Sequence, residues 1–279
     1  MEKKERIAVF GTGLMLLLIF TFTDLQISMA VATKPAIARA LEVIGEIPFT
    51  ILTMAGCAML VQFRSRENKG KNIAGLLGGG VLFFLFSLMC GFMTWNYLCR
   101  NMGEISKIWI GLIGATAAVG AFFIARAVPE ENGEKALRFA AMALVYFLLV
   151  LIIMNVLKMT WGRMRFREMT DPLEQFTRWY EICGRGGFSD VYASFPSGHS
   201  MNSAGVILML LLPDVIPVLE HRKKLLHIAV YVWCILVGFS RVLMGAHFAS
   251  DVIVGILLSF ALFDLLSRFL YNRKRTQHK

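Results

Sequence analysis

Charged residues are scarce in this sequence. Only 17% of its 279 residues are Asp, Glu, Lys or Arg, whereas 57% are apolar. Globular domains carry about 25% charged residues, so the composition excludes an ordinary soluble domain. The apolar residues occur in long blocks, and about 20 such residues in a helix are enough to cross a hydrocarbon core of about 30 Å.

Cysteine pairs and metal motifs are also missing. The five cysteines are odd in number and include no C-x-x-C pair: Cys57, Cys90, Cys99, Cys183 and Cys234. The sequence has no H-E-x-x-H motif and no carboxylate cluster suited to a metal ion. We therefore expect no disulfide framework, no metal and no cofactor.

The net charge of +10 is compatible with a nucleic-acid-binding protein. However, no basic face interleaved with aromatic residues accompanies it. Lys and Arg lie mainly in short links between the apolar blocks, which is typical of membrane topology. We therefore expect a lipid bilayer as the partner and no nucleic acid.

Eight apolar blocks predict an all-α, multi-pass transmembrane helical bundle in which residues 1–279 form a single domain. The first block follows a basic start, as in a signal peptide, but it is slightly longer than a usual signal core, so we interpret it as a retained span. Residues 35–44 predict a short amphipathic helix on the membrane surface. The blocks cover residues 7–23, 47–63, 73–98, 108–128, 136–157, 201–219, 225–243 and 248–270.

The basic residues in the links predict the orientation in the plasma (inner) membrane. If the N-terminus is inside, the inner segments include 64–71, 126–138, 222–224 and the basic tail. The first two outer loops then hold only Lys34, Arg39, Arg100 and Lys107. Since positive charge favours the cytoplasmic side, we expect both termini in the cytoplasm and the polar connection 158–199 outside.

Three polar clusters interrupt this apolar pattern. The first contains Lys158 and, seven residues on, Arg165; the second is Pro196-Ser197-Gly198-His199; the third is S-R-V-L-M-G-A-H-F-A-S-D, residues 240–251. Arginine binds phosphate oxygens in bidentate fashion, and lysine adds a compact charge. The second cluster predicts a helix N-terminus, which suits an anion, and Gly198 lets the backbone approach that anion closely.

The third cluster combines Arg241, His247 and Asp251. The spacing of four residues places His247 and Asp251 on one face of a helix, where the carboxylate can hold one imidazole nitrogen and leave the other free to attack an electrophile. Gly245 predicts a helix end that lets Arg241 fold back toward His247. Ionisable residues at membrane depth are costly, which favours a functional interpretation.

Together, the three clusters resemble the signature of the type 2 phosphatidic acid phosphatase (PAP2) superfamily. The resemblance covers residues 158–251 and the flanking helices, so we place the PAP2-like catalytic part at about 136–270 with a six-helix core. One position departs from the family pattern: Phe166 follows the second basic residue, where the family usually has proline.

The resemblance implies a metal-independent phosphatase that hydrolyses a lipid phosphate or a polyprenyl diphosphate at the outer membrane interface. It implies that His247 attacks phosphorus and forms a phosphohistidine, that Asp251 orients His247, and that His199 protonates the leaving oxygen. The phosphoryl oxygens are then held by Lys158, Arg165, Arg241, Ser197 and Gly198. Two alternatives stay open: a lipid phosphotransferase of the same fold, and a non-catalytic transporter or binding protein for lipid phosphates.

Overall fold

The computed structural model describes residues 3–65, 67–184 and 189–271, so the basic tail and Arg66 lie outside the described residues. Every regular element assigned within these ranges is helical. The α-helices are α1 (Lys3–Val31), α2 (Ala36–Ile44), α3 (Ile47–Gln62), α4 (Lys69–Met102), α5 (Ile108–Arg126), α6 (Gly133–Trp161), α7 (Pro172–Gln175), α8 (Gly198–Ser203), α9 (Leu212–Val215), α10 (Lys223–Leu243) and α11 (Ala249–Tyr271).

Within the described residues, seven helical stretches are long and apolar enough to cross a membrane. Large apolar side chains on them face outward; Phe22 and Phe123, for example, are 68% and 64% exposed. Such surfaces suit contact with lipid chains. The prediction of an all-α multi-pass bundle is therefore confirmed. The seven stretches are Lys3–Val31, Ala36–Gln62, Lys69–Met102, Ile108–Arg126, Glu130–Trp161, Pro217–Leu243 and Ala249–Leu270.

The remaining predicted block, residues 201–219, is helical but divided. It contains α8, the 3-10 segment Ala204–Leu211, α9, and the start of a second 3-10 segment, Pro217–Arg222. Pro213 and Pro217 stand at the beginnings of the last two segments. Because proline has no N–H to donate, each is compatible with the start of a helix but interrupts a longer one.

The contacts divide the chain into two compact units. One contains Val43–Leu148, Val206–Tyr231 and Leu265–Lys279. Its core lies among α3, α4 and α5, where Phe86 packs edge-on against Phe147 at 4.8 Å between ring centroids. Gly91 on α4 lies directly on the carbonyl of Ile110 on α5, so any side chain at this position would collide with backbone.

The other unit contains Met1–Glu42, Leu149–Gly205 and Val232–Asp264. In its core, Val242, Ala249 and Val252 are buried together and covered by apolar side chains of α1, among them Phe20 and Ile27. All three predicted polar clusters fall in this unit. The helices around its core therefore position the candidate site.

Candidate active site

A sharp turn between α10 and α11 positions the third cluster. Gly245 has φ +60°, a left-handed conformation that glycine adopts without steric cost. The N–H groups of Ala246 and His247 both donate to the carbonyl of Arg241, at 3.1 and 3.4 Å. α10 ends at Leu243, so the predicted helix end near Gly245 is confirmed, and the turn brings the backbone N–H of His247 back to the carbonyl of Arg241.

His247 is 2% exposed, and its Nδ1 lies 2.6 Å from the carbonyl oxygen of Ser194. Since a carbonyl oxygen only accepts, Nδ1 of the imidazole carries the proton. In the neutral ring, Nε2 then keeps its lone pair, which is the form that a nucleophile requires.

The predicted hydrogen bond between Asp251 and His247 is wrong. His247 precedes the start of α11 at Ala249, so the spacing of four residues is not a helical spacing at this position. Asp251 Oδ2 instead accepts from Phe248 N at 2.9 Å and from Ser194 Oγ at 2.6 Å. Ser194 therefore joins the two residues, since its carbonyl binds His247 while its hydroxyl binds Asp251.

Arg163 holds the other oxygen of Asp251. Its side chain is fully buried, and Nη1 donates to Asp251 Oδ1 at 2.6 Å while Nη2 donates to Asp24 Oδ2 at 3.1 Å. Ser250 also binds Asp24, through its N–H at 2.9 Å and through its hydroxyl. The guanidinium carbon lies 4.1 Å from the centre of the Phe248 ring. Arg163 thus neutralises one of two buried carboxylates and connects α1 to Asp251.

Arg241 is 2% exposed and meets a carboxylate from α2. Its Nη2 donates to Glu42 Oε1 at 2.9 Å. Among the residues that the structure describes, Nε and Nη1 of Arg241 have no hydrogen-bond partner. Two buried donors of a cation are therefore available to an anion. The predicted surface helix 35–44 is present as α2, but its Glu42 is buried in this site.

His199 also meets α2. Its Nε2 lies 3.1 Å from the carbonyl oxygen of Glu42, and the side chain is 7% exposed. Nε2 therefore carries the proton of the neutral ring, because the carbonyl can only accept. In this tautomer the lone pair of the neutral ring lies on Nδ1.

Lys158 lies in the last turn of α6, and Arg165 lies in the loop that follows that helix. Lys158 Nζ donates to Ala193 O at 2.6 Å, and Arg165 Nη2 donates to Asp190 Oδ1 at 2.6 Å. A Cβ at Gly198 would lie 3.3 Å from Lys158 Cε, so the absence of a side chain lets this lysine cross the start of α8.

Ser197 caps α8, since its side chain accepts from Ser200 N at 3.3 Å and shares a hydrogen bond with Ser200 Oγ at 2.8 Å. Its backbone N–H donates to Asp251 O at 3.0 Å, which ties the second cluster to the third. The predicted helix start at Gly198 is confirmed. The hydroxyl that we expected to bind phosphate is thus engaged in the cap.

Phe166, at the position where the family usually has proline, opens the 3-10 segment Phe166–Glu168. Its ring lies edge-on to Phe248 at 6.2 Å. The next residue, Arg167, donates its N–H to Gly245 O at 2.9 Å. The loop is therefore attached to the turn that precedes His247.

The two histidines share one electrostatic environment. Burial is the main cause that holds the pKa of His199 and of His247 well below the ordinary value of 6.5. Lys158, Arg165 and Arg241 lower both pKa values further, because each disfavours a second positive charge nearby. The same three cations therefore act on both histidines, and the lowered pKa values keep both rings neutral near pH 7.

The residue motifs missed four contributors to this site: Asp24, Glu42, Arg163 and Ser194. Asp24 and Glu42 are acidic residues in long apolar stretches, and their cost at membrane depth is the signal that could have indicated a role. Arg163 lies beside Arg165 in a cluster that also describes an ordinary juxtamembrane link. Ser194 binds His247 through its backbone carbonyl. Every residue has such a group, so the side chain at position 194 does not reveal this contact.

Within residues 3–65, 67–184 and 189–271, no group of three or more His, Cys, Asp or Glu residues is placed to hold a metal ion. The expectation of metal-free chemistry stays a prediction.

The protein is similar over part of its length to several bacterial phosphatases. It is 43% identical over 88 residues to phosphatidylglycerophosphatase B of Bacillus subtilis strain 168, which covers 31% of this chain and 43% of that protein. It is 32% identical over 124 residues to the lipid A 1-phosphatase of Rhizobium johnstonii, covering 44% and 43%. It is 28% identical over 99 residues to the lipid A 4'-phosphatase of Bacteroides thetaiotaomicron, covering 35% and 38%.

The chain thus spans less than half the length of these curated relatives. No solved structure matches it. The sequence profile of the PAP2 superfamily matches residues 139–275, which include all three polar clusters. Through this part of its sequence, the protein is a member of the PAP2 superfamily.

Proposed function

We propose that this protein is a lipid phosphate phosphatase that works through a phosphohistidine at His247. The observation that carries the proposal is that one tight turn holds a buried imidazole and a buried arginine with two donors that have no partner among the described residues. His247 keeps its lone pair on Nε2 because Nδ1 donates to Ser194 O, and Nε and Nη1 of Arg241 have no partner among the described residues. A nucleophile beside preorganised donors for phosphoryl oxygens is what phosphoryl transfer requires.

The first step forms the intermediate. Nε2 of His247 donates its electron pair to phosphorus, and the bond between phosphorus and the oxygen of the leaving group breaks. His199, once protonated, transfers the Nδ1 proton to that oxygen. Negative charge spreads over the remaining phosphoryl oxygens, where Arg241, Arg165 and Lys158 stabilise it. The Ser194 carbonyl accepts from Nδ1–H of His247 while the ring becomes cationic.

The second step releases phosphate. Water attacks phosphorus and gives a proton to His199, and the bond between phosphorus and Nε2 breaks, which returns the electron pair to His247. Inorganic phosphate then leaves. Asp251 acts on His247 through Ser194 in both steps, because its carboxylate holds the Ser194 hydroxyl at 2.6 Å. The proposal takes residues 1–279 as one domain, with its catalytic part at about 136–270.

The proposed substrate is a lipid phosphate or polyprenyl diphosphate whose head group reaches the outer interface. The relatives named above act, by their names, on phosphatidylglycerophosphate and on lipid A phosphates. Lys158 lies in the last turn of α6, and His247 precedes α11 by two residues. Lipid chains can thus stay in the bilayer, where each buried methylene contributes about 0.8 kcal/mol. We therefore expect higher kcat/KM on lipid phosphates than on glucose 6-phosphate.

The test is phosphate release by the purified chain in micelles, measured across a panel of lipid phosphates, with and without EDTA. Wild type should release phosphate in EDTA, vanadate should inhibit it, and His247→Ala should abolish release. His227→Ala is the matched control, because His227 is a partly exposed histidine on α10 that lies outside the three polar clusters. Tight binding of lipid phosphate without release would instead favour a binding protein, and dependence on added Mg²⁺ would exclude the metal-free mechanism.

A further inference from the structure

We propose that Glu42 is a specificity-determining residue of the phosphate site, which weakens the binding of anions in proportion to their charge. This inference rests on the proposed function, since it assigns a role at the same site. Glu42 lies on α2, outside the range 139–275 that matches the PAP2 profile, so the family signature does not supply it.

Glu42 already acts as an anionic ligand of Arg241. The carboxylate is 4% exposed and lies 2.9 Å from Nη2 of a guanidinium that is itself 2% exposed. A carboxylate oxygen occupies the same kind of position on a guanidinium as a phosphoryl oxygen. Phosphate that binds Nε and Nη1 must therefore approach a buried negative charge, or displace it from Nη2.

The charge of Glu42 is also poorly screened, because its carboxylate is buried. Salt and water reduce the repulsion between exposed charges, but they act much less on a buried pair. The second carboxylate of the site, Asp190, binds Arg165 at 2.6 Å but has a side chain that is 58% exposed. Its effect on a bound anion is therefore weaker than that of Glu42.

Charge also distinguishes the possible ligands. Lys158, Arg165 and Arg241 supply positive charge, and Glu42 is the buried negative charge beside Arg241. Asp190 is shared by Arg165 and Arg167, at 2.6 and 3.7 Å. A phosphate monoester carries at most two negative charges, whereas a diphosphate ester carries up to three. Because repulsion by Glu42 grows with the charge of the ligand, Glu42 shifts the preference of the site away from a diphosphate and toward a phosphomonoester.

Glu42 also contacts His199, the proposed general acid, through its backbone. The carbonyl of Glu42 accepts from Nε2 of His199 at 3.1 Å, while its carboxylate binds Arg241. A change that keeps the backbone and the size of the side chain, but removes its charge, should leave His199 in place. Glu42→Gln is this change, and it isolates the charge.

The experiment is calorimetric titration of the full chain in micelles with inorganic phosphate and with pyrophosphate. Glu42→Gln should lower the Kd of phosphate at least tenfold, which is about 1.4 kcal/mol, and should lower the Kd of pyrophosphate by a larger factor. Glu134→Gln is the matched control, because Glu134 pairs with Arg138 at the surface, and it should change neither Kd.

Three results would overturn the proposal. An unchanged or raised Kd in Glu42→Gln would mean that Glu42 only positions Arg241. An equal gain for both anions would remove the discrimination by charge. If Glu42→Gln does not fold, Glu42→Asp replaces it: this variant keeps the charge but withdraws it from Arg241, so both Kd values should fall by a smaller factor, and unchanged values would count against the proposal.

Catalysis is measured separately. If neither protein releases phosphate from lipids but the titrations give the expected gains, the proposed function fails and the role of Glu42 stands. If lipids are hydrolysed but the titrations show no gain, the role of Glu42 fails and the proposed function stands.

Discussion

Replacing Arg163 with methionine should destabilise the protein more than any surface change. Methionine keeps most of the volume of the side chain but leaves Asp24 and Asp251 without their shared cation. Arg163 is fully buried and makes hydrogen bonds of 2.6 and 3.1 Å to these carboxylates, with others to Thr177 O and Ser250 Oγ. Breaking a buried ion pair on one side costs about 3–5 kcal/mol.

This cost converts to a shift in melting temperature. Chains of this size lose roughly 2 °C per kcal/mol, so we expect Arg163→Met to lower Tm by about 6–10 °C. The assay is thermal unfolding in detergent micelles, followed by circular dichroism. Arg138→Met is the matched control, because Arg138 pairs with Glu134 at 3.0 Å on an exposed helix face. Such pairs contribute about 0.3–0.5 kcal/mol, so its Tm should fall by about 1 °C.

A double variant tests whether the loss comes from the stranded carboxylates. In wild type, Asp24→Asn removes a partner of Arg163 and should destabilise. In the Arg163→Met background, the same change removes an unpaired buried charge and should stabilise. The coupling between the two sites should exceed about 1 kcal/mol. Additive effects, or equal Tm values for Arg163→Met and Arg138→Met, would refute the reasoning.

Three further predictions concern pH, the acid and topology. The pKa of His199 and of His247 is held below 6.5 in the folded state. As the pH falls below 6.5, the unfolded chain therefore binds protons at these histidines before the folded protein does, and the free energy of unfolding decreases. Tm in phosphate-free buffer should therefore fall between pH 7.5 and pH 5, and it should fall less in the double variant H199Q/H247Q. Equal slopes of Tm against pH in the two proteins would contradict this. His199→Ala should impair hydrolysis of an alkyl phosphate far more than that of p-nitrophenyl phosphate, whose leaving group needs less proton assistance; equal losses would count against His199 as the acid. Reporter fusions at 64–72 and 220–224 should read cytoplasmic and one near 175 external, and a cytoplasmic reading at 175 would reverse the orientation.

The membrane helices were predictable because long blocks of apolar residues indicate them directly. A block such as 73–98 must be helical in a membrane, since only internal hydrogen bonds satisfy its backbone. Its ends were not predictable, because α4 continues through polar residues from Lys69 to Met102. The division of block 201–219 depends on Pro213 and Pro217, whose effect on a buried helix varies with what surrounds them.

The members of the site were predictable only where side-chain spacing specifies chemistry. Lys158, Arg165, His199, Arg241 and His247 lie in one unit, as the motifs indicated. The partner of His247 was not predictable, because the turn at Gly245 places it before the helix and against a backbone carbonyl. Asp24 and Glu42 were not found because each is more than 110 residues before the cluster that it contacts. The sequence indicated them only as acidic residues in apolar stretches, where an ionised side chain is costly.

The most direct test of the account is to trap the phosphoryl group on His247. Wild-type protein would be mixed with a radiolabelled lipid phosphate, quenched within milliseconds in alkaline denaturant and digested for mass spectrometry. We expect a phosphoryl adduct on the peptide that contains His247, stable to base and lost in acid. It should be absent in His247→Ala and should not accumulate from a lipid phosphate in His199→Ala, because the leaving oxygen then receives no proton. Steady phosphate release without any adduct on His247, or an adduct on another residue, would contradict it.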